Sequence, residues 1–370
     1  MTPQTNMRRT PLHACHRALG ARLVEFAGWE MPVQYDGVLA EHERVRTSAG
    51  LFDVSHMGEL FLSGRGALPT LDNMATNDVS KLVDGQALYT PLCNEQGGVR
   101  DDALIYRFDA TRFMLVVNAA NADKILAWTR AHLEPGTDLV DRTADIALLA
   151  IQGPRSLDVA ETCDLGGLEH RVRDLAYYHF AASAAGSKHT WIVSRTGYTG
   201  ELGLEVYCDA ADAVRLWEQL LARGKKHGLG PAGLAARDTL RFEAAYCLYG
   251  HELAEDVSPL ETGIGWTVKL RKPRFIGKDA LVAQKQAGPP RRLVGLEVQE
   301  RAIPRQGCSV WSGDVEVGRV TSGTFAPTLK RSLALALVSS QAAGPFGIDI
   351  RGRRVAAQRV EIPFYTSRSA

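Results

Sequence analysis

The chain has no long hydrophobic run. Its apolar stretches, such as Ile146–Ile151 and Leu333–Val338, reach six residues, against roughly 18 for a membrane span. They read instead as buried strands or helix segments. A surplus of one charge is also missing: 43 Lys and Arg face 42 Asp and Glu, a net of +1. A protein built to grip nucleic acid or an anionic membrane carries a basic excess, so neither partner is expected. The six cysteines (Cys15, Cys93, Cys163, Cys208, Cys247, Cys308) are scattered without a CxxC pair. That excludes a dense disulfide framework and points to a reducing cytoplasm. Met1–Thr10 carries two arginines but no apolar segment, so no secretory signal is expected there. GxxxxGK(S/T), HExxH and GxSxG are absent, and Gly197, Gly200 and Gly203 do not form GxGxxG. His13-Ala14-Cys15-His16 could open a metal clamp, but no second cluster completes it, and no metal is expected. Ser55 and His56 are neighbours in sequence, which is not the spatial adjacency that a nucleophilic pair needs.

What remains is an ordinary globular composition, 45% hydrophobic and 23% charged. Its 370 residues allow two or three domains. Val38, Leu39, His42, Val45 and Ala49 fall near one helical face, with Gly50 as a stop. Phe113–Val117 reads as a buried strand, with a helix from about Asn121. Trp191–Ser194 and Leu204–Cys208 flank a glycine-bearing turn, the signature of a hairpin. Val214, Trp217 and Leu221 mark an amphipathic helix, and another runs from near Pro231 through Arg237 and Arg241. Strands and helices joined by turn-rich links argue for an α+β class. Lys285–Arg292, with Gly288, Pro289 and Pro290, reads as a linker. Beyond it come only short strand-like runs, from Leu293–Val298 to Val355–Ile362, as in a small barrel or sandwich.

Several segments are dense in aromatic, glycine and acidic residues. They are Phe26–Pro32, Gly50–Glu59, Cys93–Asp102, Val116–Asn121, Ser194–Glu201, Gly233–Glu243, Leu248–Gly250 and Thr321–Thr328. Together, in order from about Thr10 to Tyr365, they closely resemble the glycine cleavage T-proteins, a family of aminomethyltransferases. The resemblance implies that tetrahydrofolate accepts a one-carbon unit from an aminomethylated lipoyl H-protein, a transient partner. Methylenetetrahydrofolate, ammonia and the dihydrolipoyl carrier would be the products. It also implies a three-domain cloverleaf around a central folate channel, with two interleaved α+β domains and a C-terminal all-β barrel. On that basis residues 8–284 form the folate-binding catalytic region and residues 285–370 the barrel.

The same resemblance points to Asp102 as the catalytic residue, close to the reactive folate nitrogens. Loss of ammonia builds positive charge on the transferred carbon, which a fixed carboxylate stabilises. The same group could take a proton from a folate nitrogen, and the two roles stay open. Read without the family, Asp101 and Asp102 could simply finish a turn after Gly97-Gly98. Glu205 is implied to accept the pterin amino group and ring N–H; its ordinary alternative is a solvent-facing strand position. Arg237 is implied as a folate contact, against an ion pair with Asp238 or Glu243; Arg241 reads as structural. Tyr89, Asn118, Tyr198 and Tyr246 are implied to line the channel, with Met57 packed against the ring. Trp29, Trp266 and Phe325 are expected in the core. Glu25, Ala235 and Phe364 depart from the commoner Asp, Gly and Tyr of the family, and Tyr365 supplies the neighbouring hydroxyl at the C-terminus. Arg271, Lys272 and Arg274, or Arg351, Arg353 and Arg354, could steer an acidic partner or be solvated surface. Two other functions fit the same scaffold: a different folate-dependent demethylase, or a non-enzymatic folate-binding iron–sulfur maturation factor. The Lys-Gly-Cys-Tyr motif of the latter is poorly matched by Ala244–Glu252.

Overall fold

A computed structural model describes residues 7–367. Part of the N-terminal segment read for a signal, and the last three residues of the 285–370 segment, lie outside the described residues.

Among the described residues, three large sheets carry the fold, beside a two-stranded ribbon of Arg22–Phe26 and Trp29–Gln34. The first has six strands in the order Phe180–Ala182, Trp191–Ser194, Gly203–Asp209, Ile146–Gln152, Ala49–Asp53 and Leu229–Pro231. The second has five, in the order Gln86–Cys93, Val99–Arg107, Arg112–Val117, Gly58–Ser63 and Asp138–Asp141. The chain enters the first sheet at 49–53, builds the whole second sheet, and returns to the first at 146–152. This is the interleaving that the resemblance implies and that periodicity does not show. The third sheet, from Arg291 to Val360, closes into a six-stranded barrel.

Alternation along the strands explains how two sheets share one core. Phe113 and Leu115 point outward, into a layer with Leu71, Ile125 and Trp128. Met114 and Val116 point inward, to meet Phe52, Leu148 and Tyr207 of the first sheet. Ile146–Gln152 is buried on both faces, so its run is a central strand rather than a helix segment. The hairpin of Trp191–Ser194 and Gly203–Asp209 forms as its turn chemistry predicts. The turn wraps around the Gln152 side chain. That amide donates to the carbonyls of Thr196 and Leu204, and accepts from Thr199. A Cβ at Gly197 or Gly203 would lie 2.1 or 2.3 Å from Gln152, so the turn needs glycine to close on it.

Four local readings need correction. Gly50 does not stop a helix; the helix Val38–Thr47 ends earlier, and Gly50 sits inside Ala49–Asp53. There a Cβ would meet Val45 at 2.4 Å. In the helix Ala213–Gly224 the core takes Ala213, Leu216, Trp217 and Leu220, leaving Val214 exposed. The supposed linker is mostly ordered: Lys278–Ala287 is helical and Arg291 already belongs to the barrel. Trp266 and Phe325 are not core residues, being 62% and 40% exposed, whereas Trp29 is buried.

Candidate active site

Between the two sheets, the helix Leu234–Glu243 and the segment Ile362–Pro363 that follows the barrel lies a cavity of about 810 Å³. Its walls include all eight side chains singled out in the sequence: Asp102, Glu205, Arg237, Tyr89, Asn118, Tyr198, Tyr246 and Met57.

Asp101 and Asp102 are consecutive on the strand Val99–Arg107, so they face opposite ways. Asp101 turns inward, fully buried, and accepts from the Asn118 backbone N–H, the Asn118 Nδ2 and the Asn121 Nδ2 at 2.6–3.0 Å. Asp102 lines the cavity, accepting from Tyr89 Oη and Asn118 Nδ2 at 2.9 Å each. One asparagine thus ties the structural acid to the cavity-facing one. Upstream, Asn94 closes the turn by accepting from the Gly98 N–H at 2.9 Å and donating to the Glu255 carbonyl. Burial raises both carboxyls; the Tyr89 and Asn118 hydrogen bonds oppose it at Asp102, while Asp102 adds to the rise at Asp101. Burial and the Asp102 charge push the Tyr89 phenol well above its usual range, so it stays a donor.

Glu205 rises from the strand Gly203–Asp209 and is buried, with Thr196 Oγ1 donating to its Oε2 at 2.5 Å. Burial raises its carboxyl; Thr196 and the Arg237 charge pull the other way. Arg237 comes from the helix Leu234–Glu243. Gly233 begins that helix so close to the Trp29–Gln34 strand that a Cβ would lie 2.4 Å from the Val33 carbonyl. The Arg237 guanidinium sits 4.7 Å over the Tyr198 ring, which stacks on Tyr246 at 5.9 Å. Its Nη1 is buried and, among the described residues, without a partner. The ion pair considered from sequence does not form: Asp238 pairs with Arg241, and Glu243 with Arg46 and His42. Arg241 is itself buried in a network with Glu252 and Ser322. An unpartnered buried guanidinium nitrogen is costly, and it fits a ligand carbonyl or carboxylate.

Other wall residues were not read as site residues in the sequence. His56 is buried with Nδ1 unpartnered. Burial pushes it down to about 4, Asp53 opposing and Arg237 adding to the fall, so it is neutral at pH 7. Its neighbour Ser55 exchanges hydrogen bonds with the Leu148 backbone, which leaves no Ser–His pair. Cys247, His251, Trp266 and Tyr178 also line the cavity. Tyr178 holds φ +59°, a region that bulky residues rarely adopt; no local sequence signal marks it. At the C-terminus, Ile362 and Pro363 touch the cavity, but Tyr365 reaches Glu201 instead and Phe364 packs on Phe242.

Elsewhere, His16 bonds Asp53 and Tyr35 while His13 bonds Glu30, so the His-Ala-Cys-His segment is not a shared ligand set. Lys272 cannot steer a partner from the surface. It is 4% exposed, held by Asp72 and three backbone carbonyls. Arg274 and Arg353 pair with Glu134 and Glu300. Among the described residues, no helix is long and apolar enough to cross a membrane.

The family model of the GCVT N-terminal domain matches residues 12–272, and that of the glycine cleavage T-protein C-terminal barrel domain matches 291–366. The chain is 49% identical over 363 residues to an aminomethyltransferase of Geobacillus kaustophilus, covering 97% of this chain and 99% of the relative. It is 46% identical over 362 residues to one of Desulforamulus reducens, covering 97% and 98%. Among solved structures it superposes with a TM-score of 0.90 on the glycine cleavage system aminomethyltransferase T from Bartonella henselae, at 33% identity over 98% of this chain and 99% of that one.

Proposed function

The chain belongs to the glycine cleavage T-protein family of aminomethyltransferases, and we propose from this premise that it moves a one-carbon unit from an aminomethylated lipoyl H-protein to tetrahydrofolate. The observation that carries the reading is the shared cavity, in which Asp102, Glu205 and the unpartnered Arg237 Nη1 converge. Glu205 offers paired carboxylate oxygens to the amino and N–H groups of a pterin edge. Arg237 offers a donor to a ring carbonyl, and Tyr198 and Tyr246 offer aromatic faces. Asn118 and Tyr89 hold Asp102 toward the reacting centre.

The proton count constrains the chemistry. Two protons leave the folate nitrogens as the methylene bridge forms; one departs with ammonia and the other ends on the released lipoyl sulfur. The C–S and C–N bonds of the aminomethyl group break and two C–N bonds form. The Asp102 carboxylate stabilises the cationic carbon while ammonia leaves. Its burial-raised basicity suits it to take a folate proton and pass it on. The two roles belong to successive moments of one anion. For the chain as a whole we propose 8–284 as the folate-binding region and 285–370 as the barrel that completes its wall.

The test is ammonia release with tetrahydrofolate and aminomethylated carrier. Methylenetetrahydrofolate should form only when the carrier is supplied. Asp102→Asn should keep folate affinity and lower turnover by about 10²–10⁴-fold. Turnover of Asp102→Asn near wild type would remove Asp102 from the mechanism. Turnover of free N-methyl compounds would favour a demethylase, and folate binding without turnover on any carrier would favour a maturation factor.

A further inference from the structure

Behind Glu205 stands a group of hydroxyls that the reaction itself does not require. Thr196 Oγ1 lies 2.5 Å from Glu205 Oε2 and 2.9 Å from Ser194 Oγ. Tyr106 Oη lies 3.4 Å from Thr196 Oγ1 and 3.0 Å from Tyr207 Oη. All five side chains are buried, and they come from three strands: Val99–Arg107, Trp191–Ser194 with its turn, and Gly203–Asp209. An ionised carboxylate can only accept, so the Thr196 proton goes to Glu205. The threonine oxygen is then left to accept from the hydroxyls behind it, and the string has one direction, ending at Oε2.

We propose that Thr196 is a positioning residue that fixes the Glu205 carboxylate for the pterin edge, with Ser194, Tyr106 and Tyr207 orienting the Thr196 hydroxyl. This rests on the reading of Glu205 as the pterin contact. The hairpin turn supports it: Gln152 holds the Thr196 carbonyl at 3.3 Å, so the threonine cannot drift from its acceptor. Burial raises the Glu205 carboxyl, and the Thr196 hydrogen bond and Arg237 charge lower it. Among the described residues, the remaining titratable groups that sense Glu205 are phenols: Tyr106 from the facing sheet, Tyr207 on its own strand, and Tyr177 and Tyr178 from the loop before Phe180. Phenols are neutral at pH 7, so Thr196 and Arg237 are the two influences that hold the charge in place.

The experiment is tetrahydrofolate binding to the full chain, followed by tryptophan fluorescence across about pH 5 to 9. Thr196→Val keeps the shape and removes the hydroxyl. Affinity at pH 7 should fall about tenfold, and the acid limb of the binding curve should move to higher pH. Thr196→Ser should restore both. Tyr106→Phe should shift the limb the same way by less, and serves if Thr196→Val does not fold. Glu205→Gln should bind weakly with no such limb. A Thr196→Val curve that superposes on wild type, while Glu205→Gln binds weakly, overturns the positioning role alone. Wild-type affinity in Glu205→Gln overturns the pterin contact and the inference with it.

Discussion

Two acids illustrate what a single residue contributes. In the proposed mechanism Asp102 works as an anion in a site that disfavours anions, since burial raises its carboxyl. Its protonation on acidification therefore begins above the ordinary aspartate value of about 3.9. The acid limb of kcat/KM should lie above that value in wild type and be missing from the residual activity of Asp102→Asn, as a pH–rate profile would show. Glu59 is fully buried with both oxygens unpartnered, and burial with the Asp141 charge pushes it well above its usual range. A folded-state value above the unfolded one gives stability that is complete below about pH 4.3 and is lost as pH rises through the folded value. Melting temperature should fall as pH rises above about 4.3 in wild type, and Glu59→Gln should flatten that slope. Equal slopes would show that Glu59 finds a partner.

Glycine is where residue chemistry becomes the shape of an element. At Gly98 a Cβ would lie 1.8 Å from the Glu255 carbonyl oxygen, a backbone atom that cannot step aside. Gly98→Ala should destabilise the protein by about 1–3 kcal/mol in urea unfolding. It should also lower turnover, because the same turn leads into the strand that carries Asp102. Elements of this kind were largely legible. The short apolar run Phe113–Val117 and the glycine turn between Trp191 and Cys208 are local signals, and both became the expected strands. The helix Ala213–Gly224 was found but rotated, since an apolar stripe does not say which flank meets the sheet. Gly50 misled for the opposite reason: it reads as a stop, yet the close approach of Val45 requires it.

Across the whole molecule, the barrel is fastened to the cavity wall by a buried charge network. Arg241 bonds Glu252 at 3.0 Å and the barrel's Ser322 at 2.9 Å, while Thr321 bonds Glu252 at 2.7 Å. Removing one partner of a buried pair strands the other, at a cost of about 3–5 kcal/mol. Arg241→Met should lower the melting temperature accordingly and speed proteolysis at the short connection 288–290. An unchanged melting temperature would mean that the barrel holds by apolar contacts alone.

The residue types of the site, the barrel strands and the alternation of the sheets were already determined by the order of amino acids. Backbone periodicity and turn chemistry are properties of near neighbours. Only packing decided the rest. It turned Asp102 rather than Asp101 toward the cavity. It sent the neighbours of Arg237 to other partners, exposed Trp266, and buried Lys272 against carbonyls 195–200 positions away. Such contacts join segments brought together by the interleaved sheets, and no spacing along the chain encodes which distant group will satisfy a buried charge.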